Sequence, residues 1–271
     1  MSTPRPPFLS GRRPRVIAHR GFGPHGEGNT LESFERALSA GADLLETDVR
    51  ASLDGVAVLV HDEEVVDARG LRHRIADTRW EELAAIELPL SGERLLPLAE
   101  ALRRLPGAHF NIDVKARGAV VPVVEAVLAT GARDRVLITS FSESRRRAAV
   151  RLLPGVATSA SAPRFVAALL GAHLRFAPLV RCALRGIDAL QVPERAAGLQ
   201  VTDPRILARL RSTGAEIHLW TINDPTRMRA LLALGVDGLV TDRTDLARAA
   251  VDERAQHGAD PADSARKGPL T

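Results

Sequence analysis

The sequence predicts a (β/α)8 TIM barrel with a small insertion after the second strand, and three observations support this fold class. Strand-like and helix-like segments alternate along most of the 271 residues. That length suits a single large barrel domain. Polar side chains gather where the apolar strand-like runs end, and the active sites of such barrels lie at the ends of their strands.

Each predicted strand is a short run rich in Val, Ile, Leu and Ala, and several predicted helices begin at a capping residue. Asp203-Pro204 and Asp224-Pro225 each place a capping Asp before a Pro that suits the first helical position. The predicted strands are 16–19, 43–49, 56–61, 109–115, 136–140, 156–160, 187–192, 216–221 and 237–241. The predicted helices are 30–40, 81–86, 98–105, 120–130, 143–153, 163–172, 203–212, 225–234 and 244–251.

The link between the second and third predicted strands, Arg50 to Gly55, is too short to contain a helix. We therefore expect these two strands to pair antiparallel. Residues from about 51 to 97 then form the insertion, and eight strand–helix units remain. An open doubly wound sheet is the alternative, but Pro24 interrupts the glycine-containing turn in which that fold needs free backbone amides.

The two ends of the chain have a different composition from the middle. Residues 1–14 are rich in Pro and Arg, and we expect a disordered leader there. Residues 252–271 contain few large apolar side chains, and we expect a disordered tail that follows a barrel domain over 15–251. The sequence contains no signal-peptide core and no apolar run long enough to span a membrane, which favours a cytoplasmic location.

Composition argues against two other classes of protein. The net charge is only +4 and aromatic residues make up 3% of the chain, so we expect no nucleic-acid partner. Cys182 is the single cysteine, which excludes an intrachain disulfide. Its apolar neighbours do not favour a catalytic thiol.

Three carboxylates are candidate metal ligands. Glu46 and Asp48 alternate along one strand, and Asp113 lies on the next barrel strand. Their apolar neighbours must pack under the helices, so the acids point into the barrel. Carboxylates that converge there repel one another unless a cation neutralises them, and an all-oxygen ligand set favours Mg²⁺ or Ca²⁺. The alternative is that each acid pairs with Arg20 or Lys115.

Two histidines at strand ends, His19 and His61, are candidates for general acid and base. Arg20 is a candidate phosphate-binding group because a guanidinium can bind two oxygens at once. Trp220 is interpreted either as core filler or as a wall of the substrate cleft. Asp242, after the last strand, is expected to be structural or a helix cap.

The order and spacing of these residues resemble the glycerophosphodiester phosphodiesterase family from about Val16 to Leu246. The matching motifs are His19-Arg20-Gly21, Asn29-Thr30, Gly41 through Val49, Asp54-Gly55, Val60-His61-Asp62, Asp113-Val114-Lys115, Trp220 through Asn223 and Gly235 through Asp242. Each motif alone is weak, but together and in this order they are a specific signal.

The resemblance implies a TIM barrel with an insertion after the second strand. It also implies a divalent cation held by Glu46, Asp48 and Asp113, with His19 and His61 as acid and base. In the family's usual mechanism a neighbouring substrate hydroxyl attacks phosphorus and releases the alcohol, and water then opens the cyclic phosphate to glycerol 3-phosphate. Arg20 and Lys115 would contact the phosphate or steady the ligands.

Two positions depart from the family pattern. The family has Glu before Asn-Thr, whereas this chain has Gly28 there and Glu27 one residue earlier. The family's Glu on the fourth motif strand is replaced by Asp113, which is one methylene shorter.

Three functions remain open from the sequence. The first is metal-dependent hydrolysis of small glycerophosphodiesters, as part of lipid and glycerol metabolism. The second is a lysophospholipase D or sphingomyelinase D-like reaction on a lipid, for which Phe165 to Phe176 is a candidate apolar ramp. The third is a barrel that binds phosphate esters without turnover. The sequence leaves the alcohol group, the cation and the oligomeric state undetermined.

Overall fold

The computed structural model describes residues 6–23, 28–89 and 92–258, with the side chains of 257 and 258 excepted. Its strands are β1 Arg15–His19, β2 Leu44–Ala51, β3 Ala57–Leu59, β4 Glu64–Val66, β5 Arg72–Arg74, β6 Phe110–Val114, β7 Val136–Thr139, β8 Ala157–Thr158, β9 Ala189–Val192, β10 Arg195–Ala196, β11 Leu199–Gln200, β12 Glu216–Leu219 and β13 Gly238–Thr241. Its α-helices are α1 Leu31–Ser39, α2 Trp80–Leu83, α3 Leu98–Arg104, α4 Val120–Ala129, α5 Glu143–Leu152, α6 Ala162–His173, α7 Ala177–Ala183, α8 Pro204–Arg211, α9 Pro225–Ala233 and α10 Thr244–Gly258.

Eight of these strands form the predicted parallel barrel, in the order β8-β7-β6-β2-β1-β13-β12-β9. Backbone hydrogen bonds from Asp188 to Thr158, at 2.9 Å, and from Ala160 to Ala189, at 3.0 Å, join the two ends of this sheet. The first and last barrel strands, β1 and β13, lie side by side in parallel register. The barrel prediction is therefore confirmed, and the doubly wound alternative is wrong.

The segment between β2 and α3 is the predicted insertion. β3 pairs antiparallel with β2, with Val49 opposite Leu59, as the short connection required. The antiparallel pair β4 and β5, together with α2, then covers a small apolar core of its own. The core contains Val58, Val60, Val65, Ile75, Leu83, Ile86 and Leu95.

The barrel is filled by side chains from alternate strand positions, as the two-residue period of a strand requires. They come from Ile17, Leu44, Leu137, Ala157, Ala189 and Val240. Two larger apolar clusters lie between the strands and the surrounding helices. None of the helices in the described ranges combines the length and the apolar character that crossing a bilayer requires.

The expectation that residues 1–14 form a disordered leader is wrong for its described part. Phe8 and Leu9 are buried against the barrel interior, at 1% and 2% exposure. The guanidinium of Arg15 fixes this segment, because its Nη2 donates to the Leu9 carbonyl at 2.7 Å. Two apolar residues inside a Pro- and Arg-rich stretch therefore close the end of the barrel where the strands begin. Residues 1–5 lie outside the described residues.

The expectation of a disordered tail from residue 252 is also wrong for its described part, 252–258. Helix α10 continues to Gly258, while Ala247, Ala250 and Val251 on its inner face are buried. The periodic burial of its apolar positions holds the helix on the barrel, although its last turns contain few large apolar groups. Residues 259–271 lie outside the described residues.

Replacing Phe8 tests how much this closing segment contributes to the stability of the barrel. We expect Phe8→Ala to lower the free energy of unfolding by about 3 kcal/mol, since it removes a fully buried aromatic ring and leaves a cavity. Phe176→Ala, at a site that is 54% exposed, is the matched control and should change it by less than about 1 kcal/mol. Denaturant unfolding measures both, and equal effects would show that Phe8 does not support the barrel.

Candidate active site

A cavity of about 440 Å³ opens at the ends of the barrel strands, and every residue predicted for the site lines it. One side of the lining is polar and comes from β1, β2, β6 and the turn after β3. These polar residues are His19, Arg20, Glu46, Asp48, His61, Asn111, Asp113 and Lys115. The other side is largely apolar and includes Phe141, Ala162, Phe165, Val166, Pro193, Ala196 and Trp220.

The turn after β1 places His19 and Arg20 at the cavity. Arg20 has a φ of 57° and Gly21 a φ of 95°, so the chain reverses sharply at the strand end. A Cβ at Gly21 would come within 2.4 Å of the Ser33 hydroxyl, so glycine is required there. The Arg20 backbone N–H donates to Glu46 at 3.2 Å, which ties this turn to the neighbouring strand.

Gly28, the departure from the family pattern, lies directly beside this turn. A Cβ at position 28 would lie 2.9 Å from Cβ of Arg20 and 3.2 Å from its carbonyl oxygen. The backbone of Asn29 also donates to that carbonyl at 2.8 Å. In this conformation no side chain fits at residue 28. Glu27 lies outside the described residues.

Two of the three predicted metal-ligand carboxylates, Asp48 and Asp113, form ion pairs with Lys115 and Arg20. Lys115 Nζ lies 2.8 Å from Asp48 Oδ1 and 2.7 Å from Asp113 Oδ2. Arg20 Nε lies 2.7 Å from Asp48 Oδ2. The alternative stated from the sequence, in which Arg20 and Lys115 pair with the acids, is therefore observed for Asp48 and Asp113.

Burial and charge act differently on these three acids. Burial, with Asp48 and Asp113 close by, raises the pKa of Glu46 well above its ordinary value. Burial also raises the pKa of Asp113, although Lys115 opposes the shift. Asp48 is the exception: burial alone would raise its pKa, but Lys115 and Arg20 lower it. Glu46 is thus the acid whose charge is compensated least.

The donor chemistry of these acids suits a hard divalent cation. All three are carboxylates, and Oδ1 of Asp113 is buried with no hydrogen-bond partner among the described residues. A divalent ion would also supply the positive charge that Glu46 lacks. The convergence predicted from the sequence is nevertheless incomplete, because Lys115 lies between Asp48 and Asp113. Within the described ranges, no three His, Cys, Asp or Glu side chains are arranged to hold a metal.

His19 and His61 are each oriented by a carboxylate to which the sequence analysis gave no such role. His19 Nδ1 lies 2.7 Å from Oδ1 of Asp242, the acid that follows β13. Asp242 in turn accepts from the amide of Asn223 at 2.7 Å. His61 Nδ1 lies 2.7 Å from Oδ1 of its sequence neighbour Asp62. Because Nδ1 of both rings is engaged, Nε2 is the nitrogen that can exchange a proton with a substrate.

Asp242 was expected to be structural or a cap, and the structure gives it a more specific position. Burial would raise its pKa, but hydrogen bonds with His19 and Asn223 lower it, which keeps the carboxylate charged. The signal available in the sequence was the position of Asp242 at the end of the last strand. That strand adjoins β1 in a closed barrel.

Trp220 combines both interpretations made from the sequence. Its ring lines the cavity and also packs on the apolar interior of the barrel. Phe141, which the sequence did not single out, lies beside it with ring centroids 6.2 Å apart. Of the predicted apolar ramp, Phe165 lines the cavity, whereas Leu174 and Phe176 at its other end are exposed and outside the lining.

Comparisons with known proteins find similarity over most of the chain. The profile of the glycerophosphoryl diester phosphodiesterase family matches residues 19–246. A Mycobacterium tuberculosis protein named "Probable glycerophosphodiester phosphodiesterase 2" is 37% identical over 235 residues, which is 86% of this chain and 89% of that protein.

Solved structures share the fold. A glycerophosphodiester phosphodiesterase from Parabacteroides distasonis superposes with a TM-score of 0.72 at 25% identity, covering 91% of this chain and 100% of that one. A phosphodiesterase from Oleispira antarctica, solved in complex with the product sn-glycerol-3-phosphate, has a TM-score of 0.71 at 24% identity. The match covers 89% of this chain and 97% of that one.

The raised pKa of Glu46 predicts a pH-dependent effect of its replacement. A carboxyl whose pKa is higher in the folded than in the unfolded state ionises less readily in the folded protein, so raising the pH lowers the free energy of unfolding. In chelator, Glu46→Gln should therefore gain stability over the wild type at pH 8 and gain little at pH 5. Denaturant unfolding at the two pH values measures this, with Glu35→Gln at an exposed helix position as control. A variant that is less stable at both pH values would contradict the assigned charge balance.

Proposed function

The chain belongs to the glycerophosphoryl diester phosphodiesterase family and is a phosphodiesterase, and we propose that it hydrolyses glycerophosphodiesters to an alcohol and glycerol 3-phosphate. One observation carries this proposal. His19 and His61, each paired with a carboxylate at 2.7 Å, line one cavity together with Arg20 and Lys115. This arrangement combines two proton-exchanging groups with two phosphate-binding cations.

The two imidazoles divide the proton transfers. The hydroxyl next to the phosphate attacks phosphorus as one ring takes its proton. The bond from phosphorus to the leaving alcohol then breaks as the other ring protonates that oxygen. The product of this step is a cyclic phosphate, which water opens with the rings in reversed roles. A tethered hydroxyl favours this route because its effective concentration is high.

Arg20 and Lys115 are the proposed phosphate contacts. Side-chain exposures of 32% and 16% leave both cations accessible from the cavity while they remain paired with Asp48. A guanidinium suits two phosphoryl oxygens at once, and an ammonium acts as a compact point charge. The acids hold both cations in place for an incoming anion.

Glu46, Asp48 and Asp113 would hold a divalent cation, Mg²⁺ or Ca²⁺. When bound, such an ion supplies positive charge that offsets the charge building on the phosphoryl oxygens. The raised pKa of Glu46 and the unpartnered oxygen of Asp113 support these residues as its ligands.

A second candidate substrate is a lysophospholipid, as in a lysophospholipase D reaction. The apolar half of the cavity favours it, because Phe141, Phe165 and Val166 could hold the start of an acyl chain. The third possibility, binding without turnover, gains no support from the site, since a binding protein has no need of two oriented imidazoles. A cytoplasmic location stays a prediction.

The deciding experiment is a product-release panel. Glycerophosphocholine, glycerophosphoethanolamine, a lysophospholipid and a sphingomyelin are each incubated with the protein in Mg²⁺, Ca²⁺ or chelator. Release of glycerol 3-phosphate from the first two, with slower reaction of the lipids, supports the proposal. Reaction confined to the lipids favours the second candidate, and no release from any diester overturns both.

His19→Ala and His61→Ala should each lower kcat by at least about a hundredfold, because each removes one of the two proton-transfer groups. The fold should be retained, as judged by circular dichroism and thermal unfolding. His73→Ala is a matched control, since His73 also pairs with an aspartate, Asp67 at 3.3 Å, but lies outside the cavity lining. Rates like those of the wild type in either active-site variant would remove the acid–base assignment.

Asp113→Asn should weaken cation binding by about tenfold or more, because an amide replaces one charged oxygen ligand. Calorimetric titration of the protein with Mg²⁺ or Ca²⁺ measures the affinity directly, and the cation dependence of product release should shift in parallel. Asp134→Asn, at an exposed position outside the lining, is the control. An unchanged titration would exclude Asp113 as a ligand.

A further inference from the structure

Two neutral amides, Asn111 and Gln191, form part of the cavity floor, and the proposed chemistry does not use them. Inward-facing side chains recur at every second residue of a strand. Asn111 is two positions before Asp113 on β6, and Gln191 is two positions before Pro193 at the end of β9. Each amide is therefore one inward-facing position deeper along its own strand than Asp113 or Pro193.

Each amide has an atom without a hydrogen-bond partner in the part of the chain that the structure describes. These atoms, Oδ1 of Asn111 and Nε2 of Gln191, are also shielded from solvent. Asn111 as a whole is only 2% exposed. Leaving a buried donor or acceptor unsatisfied costs free energy, and both residues line the cavity. Such atoms are suited to bind a polar group of a substrate.

The two amides lie in different surroundings. Asn111 is beside Glu46 in the register of β2 and β6, within the charged half of the site. Gln191 is on β9, on the side of the barrel that also carries Trp220 and Phe165. A neutral donor among largely apolar neighbours suits a hydroxyl oxygen. A phosphate would instead need positive charge there.

The proposed reaction constrains which substrate hydroxyl reaches this floor. The attacking hydroxyl must lie near phosphorus, between the imidazoles at the mouth. The leaving alcohol must depart while the cyclic phosphate is still bound, which requires a path to solvent. The remaining polar group of the glycerol moiety is its terminal hydroxyl, which takes part in neither the attack nor the departure and is free to contact the floor.

We propose that Gln191 is a specificity-determining residue whose Nε2 donates a hydrogen bond to the terminal hydroxyl of the glycerol moiety. This inference rests on the proposed function and extends it, because it names the group that distinguishes glycerol from simpler diols. The enzyme would then select diesters in which the carbon that bears the attacking hydroxyl also carries a hydroxymethyl group.

A pair of substrates isolates this contact. Glycerophosphocholine carries the terminal hydroxyl, and 2-hydroxypropyl phosphocholine has a methyl group in place of the hydroxymethyl group but keeps the attacking hydroxyl. The wild type should favour glycerophosphocholine by about tenfold in kcat/KM, which is the effect of one hydrogen bond. The matching products, glycerol 3-phosphate and propanediol phosphate, should differ similarly as competitive inhibitors.

Gln191→Leu and Gln191→Met both remove the donor while keeping most of the side-chain volume. Each should reduce kcat/KM for glycerophosphocholine by about tenfold and change that for the hydroxypropyl diester by less than about twofold. Two different replacements guard against a failure to fold. Gln256→Leu makes the same chemical change at an exposed position of α10 and should alter neither rate.

The possible outcomes distinguish a failure of the role of Gln191 from a failure of the proposed function. Loss of the preference in both Gln191 variants supports the inference. An unchanged preference, or an equal fall for both diesters, overturns the role of Gln191 and leaves the proposed function standing. Failure of the wild-type protein to hydrolyse either diester with any cation overturns the proposed function and this inference together.

Discussion

The rest of the site depends on one interaction, the bridge that the Lys115 ammonium forms between Asp48 and Asp113. Parallel strands of the barrel bring Asp48 and Asp113 into direct register, and both acids are almost fully withdrawn from water. Buried like charges repel one another strongly. Lys115 bridges the two acids, and Arg20 adds a second positive charge beside Asp48. The same ion pairs keep two cations at the cavity, and these are the two groups proposed to contact the phosphate.

The strand order of the barrel divides the cavity into two unlike halves. The charged side chains come from β1, β2 and β6, which are neighbours in the sheet, and Lys115 follows β6. The apolar side chains come from the opposite arc, where Phe165, on the helix that follows β8, and Trp220, directly after β12, line the cavity. Under the proposed function, the charge concentrated on one arc orients the phosphodiester, and the other arc contacts the groups attached to the phosphate.

Local patterns in the sequence predict much of this structure, and contacts between distant segments account for what they miss. Alternation along the second strand places Glu46 and Asp48 on the inner face, and the short link after it requires an antiparallel partner. No local rule assigns Asp242 to His19, because that contact exists only once the first and last strands are adjacent. Phe8 and Leu9 are too short an apolar run to predict a buried segment, and their burial depends on the open end of a finished barrel.

The pairing of His19 with Asp242 also bears on how the protein acquires its activity during synthesis. His19 ends the first strand made by the ribosome, while Asp242 follows the last, 223 residues later in the chain. A nascent chain that has emerged through the seventh barrel strand already contains its acidic cluster and both imidazoles. It still lacks the carboxylate that orients the first ring. Under the proposed mechanism, the orienting contact of His19 therefore forms only when the final strand joins the barrel, and a chain released before that strand would lack it.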